Sequence, residues 1–188
     1  VPALVTTIAV AAAAFVGTTF DNFFALAAQL ALTDAKAFQR IGRAHIAGIM
    51  GLVAISAGVG SALSSIPLKW VAILALAPFT LGVVAWRHRN DDVGPVFKRG
   101  ATTTFLVAVA LGGDNIAVWT PLLRAAGVTK GLETAAVFFL LEMLLVLLAK
   151  KLASRPRIIA WGQRYARHLT PFVYVALGFL IIGECGLF

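Results

Sequence analysis

Two aspartate–asparagine couplets hold most of the chemistry available to this sequence. Asp21-Asn22 lies in GTTFDNFFAL and Asp114-Asn115 in LGGDNIAVW, 93 residues further on. Asp21 is the only charged residue between Val1 and Leu32. A carboxylate at the centre of a bilayer costs about 2.5–3.5 kcal/mol on insertion scales, so two of them call for a counter-charge. A divalent cation cancels both. The side-chain carbonyls of Asn22 and Asn115, the hydroxyls of Thr18 and Thr19, and freed backbone carbonyls could complete an oxygen shell. Hard divalent ions take about six to eight such ligands, and manganese also suits a carboxylate-rich site. Two protons on the same carboxyls would restore neutrality once the cation has left. Expelling a dication against about 100 mV, inside negative, costs about 4.6 kcal/mol, at about 2.3 per charge. Exchange for two protons removes that cost, so the couplets suggest proton-coupled antiport.

Other polar residues carry less. Glu142 lies within an apolar stretch and its position in the first half is Ile49. It reads as a site accessory, a proton acceptor or a structural partner of a neighbouring helix. Glu184, near the outer end of the last apolar stretch, reads as interfacial or as part of an exit path. His45, His88 and His168 fall near the cytoplasmic boundary and are expected to meet solvent or headgroups. Cys185 is the only cysteine. It excludes an intrachain disulfide and a thiolate cluster, and is expected to pack as a small apolar residue.

The elements that must position the couplets follow from composition. Of 188 residues 60% are hydrophobic and 13% charged, with mean hydropathy +0.92. A soluble domain of this length needs more polar surface. The apolar residues run in blocks rather than in a stripe of period 3.6, and about 20 of them span a bilayer. Six spans are predicted: Ala3–Leu32, Ala44–Leu68, Trp70–Trp86, Gly100–Leu123, Val128–Ala149 and Leu169–Phe188. The fold class is an all-α integral membrane protein with no room for a separate soluble domain. The first stretch lacks a basic leader and holds Asp21, so it is expected to be a retained helix rather than a signal peptide. The absence of an initiating Met suggests a trimmed or processed chain.

Net charge is +8, and its placement argues for a membrane. The loops after spans one, three and five carry Lys36, Arg40, Arg43, Arg87, Arg89, Lys98, Arg99, Lys150, Lys151, Arg155, Arg157, Arg164 and Arg167, 13 of the 16 basic residues. Only Lys69, Arg124 and Lys130 lie on the other side. The positive-inside bias puts the basic side in the cytoplasm and both termini outside. Anionic lipid headgroups are the expected partner of that basic face, and nucleic acid is not.

The offset of 93 also pairs Pro78-Phe79 with Pro171-Phe172, Val16 with Val109, Leu30 with Leu123, and Val53 with Val146. The chain therefore reads as one membrane domain of two three-helix repeats, 1–90 and 91–188. Three is odd, so the second repeat crosses in the opposite sense, the inverted topology common in secondary transporters. Antiparallel first and fourth spans would bring the couplets to one depth. Gly17, Thr18 and Thr19 before the first couplet, and Gly112 and Gly113 before the second, predict an unwound or thinned helix at each. Pro121 predicts either a further bend or a helix end. Gly48, Gly51, Gly58 and Gly60 in the second span predict close helix packing.

The Asp-Asn couplet in the first span, GGDNI followed by Pro-Leu in the fourth, KLASRPRI after the fifth and PFVYVALGFLIIGEC at the end resemble the cadmium-resistance transporters, within the LysE superfamily of small exporters. GGDNIAVWTPL, Gly112–Leu122, is the most specific segment, and the resemblance covers essentially the whole chain. It implies efflux of cadmium, and of zinc or manganese beside it, from the bacterial cytoplasm across the inner membrane. It also implies six helices in two inverted repeats, with Asp21, Asn22, Asp114 and Asn115 at the metal. Relatives often carry a second acidic residue where this chain has Asn22, which leaves one charge fewer here. No cofactor is implied, since the cation is the cargo, and a homo-oligomer is compatible with the pattern. An amino-acid exporter would need a cationic partner for the substrate carboxylate, and no Lys or Arg lies mid-span. An intramembrane aspartyl protease would need GxGD where the chain has Leu111-Gly-Gly-Asp114, so no enzyme is expected.

Overall fold

The computed structural model describes residues 2–67, 70, 72–88 and 100–184, and every regular element among them is helical. Expectations for Lys69, Arg89, Lys98, Arg99 and Cys185 lie outside the described residues, as do those for the side chains of His88, Arg167 and Glu184. The helices are α1 (Pro2–Ala31), α2 (Phe38–Ala62), α3 (Leu76–His88), α4 (Ala101–Leu111), α5 (Asn115–Leu152) and α6 (Pro156–Glu184). Short 3-10 turns stand at Ala35–Ala37, Leu63–Ser65 and Ala72–Ala75.

Apolar length decides most boundaries, and turn chemistry corrects the rest. The first predicted span coincides with α1. The second begins six residues too late, because Gln39, Arg40 and Arg43 are polar yet good helix formers. It ends early because the helix tightens into the 3-10 turn ahead of Pro67, as the residue before a proline disfavours the helical region. Pro78 stands in the first turn of α3, where its missing N–H has no intrahelical partner.

By length and hydropathy three helices qualify as membrane spans, namely α1, α2 extended by its 3-10 turn, and α5. The two segments of α6, Pro156–Tyr165 and His168–Gly183, make a fourth candidate bent by 52°. At 38 residues α5 would be about 57 Å long if straight, nearly twice a hydrocarbon core. It is not straight. Gly127 has φ 72 and ψ −177, outside the helical region. The rings of Trp119 and Phe138, which a straight helix would hold about 28 Å apart, have centroids 4.9 Å apart. The chain therefore doubles back at Gly127, with one arm before it (115–126) and one after (128–152).

Three antiparallel packings organise the bundle. The first joins α1 to α4 and the first arm of α5, from Gln29 against Thr104 to Thr18 against Trp119. The second joins α2 to the second arm, through His45 against Glu142 and Lys150 over the Phe38 ring. The third joins α3 to α6, where Phe79 meets Phe179 and Trp86 meets Phe172 edge-on. Phe15, Trp119 and Phe138 fill the centre, all essentially buried. Large apolar side chains such as Leu132, Leu140, Leu147 and Phe172 point outward. So many exposed hydrocarbon side chains suit lipid as the surrounding medium.

The glycine expectation holds in part. A Cβ on Gly48 would press on Ala108 and the Phe105 carbonyl, and one on Gly60 would lie 3.2 Å from the Thr120 carbonyl. Gly51 and Gly58 instead face open space, with nothing among the described residues packed against them. Pro121 lies inside the first arm and does not mark its end, since the helix runs on to Gly127.

Gly127 has no neighbour within 4 Å, so the only penalty for a side chain there is conformational. Gly127→Ala should cost about 1–3 kcal/mol, the strain of a nearly glycine-only backbone region. Gly51→Ala, helical and uncrowded, should be neutral or stabilise by up to about 1 kcal/mol. Thermal unfolding of the two variants in detergent would check this, and equal midpoints would refute the hairpin geometry at Gly127.

Candidate cation site

The two couplets meet where α1 crosses the gap between α4 and α5, but their backbones differ. Helix α1 is continuous through Gly17, Thr18, Thr19, Asp21 and Asn22, so the predicted unwinding of the first couplet does not occur. The threonines bond inward instead. Thr18 Oγ1 donates to the Ala14 carbonyl at 2.9 Å and Thr19 Oγ1 to the Phe15 carbonyl at 2.6 Å, which leaves the helix intact. Gly17 serves packing, since a Cβ there would stand 2.8 Å from Val173 on α6.

The second couplet follows the prediction. Helix α4 stops at Leu111, Gly112–Asp114 form a turn, and α5 starts at Asn115. Through the turn, bonds of the tighter i+3 kind appear, from Asn115 N–H to the Gly112 carbonyl and from Ala117 N–H to the Asp114 carbonyl, both 3.0 Å. Gly112 is required here, because a Cβ would collide with Leu52 of α2 and sit 2.8 Å from the Ala108 carbonyl. Asp114 stands at the N-cap position of α5, the helix end that favours negative charge.

Hydrogen bonds tie the couplets together. Oriented to satisfy its surroundings, the Asn115 amide donates to the Thr18 carbonyl at 2.9 Å and to Asp114 Oδ1 at 3.3 Å. The Trp119 indole N–H donates to Thr18 Oγ1 at 3.1 Å. These bonds bring Asp21 and Asp114 onto adjoining segments. The carboxylates and amides divide by exposure. Asp21 is exposed and Asp114 half-buried, while Asn22 and Asn115 are buried behind them. Among the described residues Asn22 finds no hydrogen-bond partner for either amide atom, although a buried amide ordinarily has several.

The exposure of Asp21 has a local cause. Gly17, Asp21 and Phe24 share one face of α1, and that face lies on α6. Gly17 packs on Val173 and Leu177 and Phe24 on Gly162, from the two sides of the bend in α6. Asp21 sits between these contacts, opposite the bend.

Among the described residues no three His, Cys, Asp or Glu gather into a metal-binding group. A cation between Asp21 and Asp114 would therefore need neutral oxygens. The Asn22 carbonyl, lacking any partner, is the first candidate, and Thr18 and Thr19 keep lone pairs beyond their helix bonds.

Sequence reasoning misplaced His45. The expected solvated histidine is 2% exposed, and its Nδ1 lies 2.6 Å from Oε1 of Glu142, which is fully buried. Of the readings open for Glu142, its contact with α2 fits the partner of a neighbouring helix and leaves proton acceptance open. A complementary residue on a facing helix was the missing signal, and pairing of α2 with the fifth span could have found it. His168 behaves as expected, exposed and bonded only to the Arg164 carbonyl among the described residues. Gln29 was also missed. It is buried and accepts from Thr104 Oγ1 at 2.7 Å, joining α1 to α4 about two helical turns from the couplets.

A family model for cadmium resistance transporters matches residues 15–188. The chain belongs to that family. No curated protein and no solved structure matches it. The match spans both couplets and nearly the whole chain, so this family member is a multi-pass membrane protein of transporter type rather than a recognisable enzyme.

The indole bond to Thr18 predicts a measurable effect. Trp119→Phe keeps most of the ring packing against Phe15 and Phe138 but removes the donor. It should lower stability by about 1 kcal/mol, the usual net worth of one such bond, as read from thermal unfolding in detergent. A loss no greater than that of an exposed-site control such as Trp161→Phe would mean the bond contributes nothing.

Proposed function

We propose that this cadmium-resistance family member exports divalent metal cations from the cytoplasm in exchange for protons. The observation that carries the reading is the meeting of the two couplets, where the Asn115 amide donates to the Thr18 carbonyl beside Asp21 and the buried Asn22 amide has no partner among the described residues. The cation is the substrate. Asp21 and Asp114 supply its counter-charge, the Asn22 carbonyl a neutral oxygen, and Asn115 holds the Gly112–Asp114 turn against α1 through the Thr18 carbonyl. An oxygen-rich set of this kind takes manganese readily, and binds cadmium or zinc with modest affinity. Modest affinity suits an exporter, which has to release its cargo on the far side.

The inverted-repeat reading belongs to the same proposal, with six crossings, repeats 1–90 and 91–188, and a place in the LysE superfamily. Its support is the packing of equivalent segments. In each of the three antiparallel pairs, positions 93 apart lie near the crossing point, as with Gly82 against Val175. The reversal at Gly127 separates the fourth and fifth crossings where the sequence places them. Asp21 and Asp114 then lie near the middle of the first pair and hence near mid-bilayer, where transporters of this design bind their cargo. The basic loops face the cytoplasm of a bacterial inner membrane, with both termini outside.

Proton exchange follows from charge. A lone pair of carboxylates in hydrocarbon is unfavourable, so the site that has released a dication returns with two protons, and the exchange at these two carboxylates is itself electroneutral. A pH gradient, acidic outside, should therefore drive cation export from proteoliposomes. Asp21→Asn and Asp114→Asn should each reduce cell survival in cadmium, zinc or manganese to the level of cells without the protein. Protection that persists in either variant, with membrane expression intact, would remove the two-carboxylate site. Flux indifferent to the pH gradient would remove the coupling.

A further inference from the structure

The pairing of His45 with Glu142 has no use in the cation site just described. Both side chains are essentially fully buried, and each retains an atom without a partner, Nε2 on the imidazole and Oε2 on the carboxyl. The pair joins α2 to the second arm of α5. Under the offset of 93, its image is Phe138 with Ile49, both completely buried hydrocarbon. The fold therefore fills one of two equivalent places with apolar side chains and the other with an ionisable pair. Packing alone does not require the polar version, since replacing a buried ion pair by hydrocarbon of similar volume is often neutral or stabilising.

The charged surroundings offer no counter-charge. Helix α2 itself carries Arg40 and Arg43, and the turn before it Lys36, all toward the cytoplasmic end. On α5 the ionisable groups are Arg124, Lys130, Glu133, Lys150 and Lys151. Arg124 is bonded to carbonyls at Leu63 and Ser64, and Lys150 lies over the Phe38 ring. Helix α4 has no ionisable side chain, Asp114 follows it, and α1 contributes Asp21. Helix α6, which also packs on α5, carries Arg157, Arg164, Tyr165 and His168 among the described side chains, all exposed. Among the described residues, neither His45 nor Glu142 has an ion-pair partner besides the other.

Burial in a closed, dry interface favours the net-neutral form of such a pair over either charged one. A neutral imidazole beside a carboxylate has net charge −1. A water-borne proton added to the lone pair of Nε2, or to Oε2, brings the pair to zero, and a second would make it +1. With both atoms closed to water, the proton can enter or leave only when α2 parts from the arm of α5. Those segments belong to opposite repeats.

We propose that His45–Glu142 is a proton-binding site of the transport cycle, separate from the carboxylates that hold the cation. This rests on the antiport reading above and adds to it. Two protons on Asp21 and Asp114 balance one dication, so a third proton carried by the pair leaves one net positive charge moving inward per cation exported. Export then responds to membrane potential, inside negative, as well as to pH.

The test uses the full-length protein in proteoliposomes with cadmium as the probe, the potential being clamped by a potassium gradient and ionophore. The variant places the image residues at the site, His45→Phe together with Glu142→Ile, and Glu142→Gln serves as a near-isosteric second variant. Wild-type accumulation should rise with the clamped potential. Both variants should still bind cadmium but lose the voltage response, and their accumulation at a gradient of one pH unit should fall by about tenfold, the factor carried by one proton. Variants that keep the wild-type voltage and pH responses would overturn the proposal, as would wild-type flux indifferent to voltage. If wild-type protein moves no divalent cation, it is the export reading that fails. Infrared pH-difference spectra of the purified protein, over about pH 5 to 8 where histidine ordinarily titrates, then decide the proton site by themselves. The wild-type spectrum should contain a carboxyl or imidazole signal that both variants lack, and identical spectra would overturn the proposal.

Discussion

Hydrocarbon offers no water to a broken backbone, and that constraint governs where this chain can afford an irregular segment. The turn at Gly112–Asp114 is the clearest interruption between apolar helices, and protein covers it on two sides. Leu52 of α2 closes over Gly112. From α1, the Thr18 carbonyl receives the Asn115 amide. Thr18 is also the anchor for Trp119, whose ring stacks on Phe15 and meets Phe138. One threonine on an unbroken helix thus supports the break, the central aromatic cluster and the neighbourhood of both carboxylates.

Much of this was legible in the sequence because apolar length and repetition are strong signals. The apolar blocks anticipate an all-helical chain and a break between Leu123 and Val128, where the reversal at Gly127 falls, and the antiparallel approach of the first and fourth spans appears in the contacts of Gln29 with Thr104 and Thr18 with Trp119. The backbone state at each couplet was only half legible. Gly112-Gly113 does break the helix, but Gly17-Thr18-Thr19 does not, because a threonine hydroxyl can bond back to the preceding turn and because glycine's small size was needed for the approach of α6. Boundaries slipped where charged residues continue a helix, as at Phe38–Arg43. His45 was misread because its setting depends on a residue 97 positions away, which no local pattern records.

The two halves are alike in outline and unlike where ionisable groups matter. The first presents its couplet on a rigid rod and the second at a joint. The His45–Glu142 place is polar where its counterpart is hydrocarbon. These departures fall at the centre of the bundle, the region that a divalent ion and its counter-ions would have to negotiate.

The hairpin at Gly127 bears on how the protein is assembled. Its arms share one aromatic contact across the fold of the chain, between Trp119 and Phe138, and scarcely any residues lie at the tip to be carried over as a hydrophilic loop. Two crossings joined so tightly can enter the bilayer together as a single helical unit. Arg124 and Lys130 flank that tip, and Arg124 is held by the carbonyls at the end of α2. An earlier helix thus provides a berth for the positive charge beside the tip, ready before the hairpin that carries it is made.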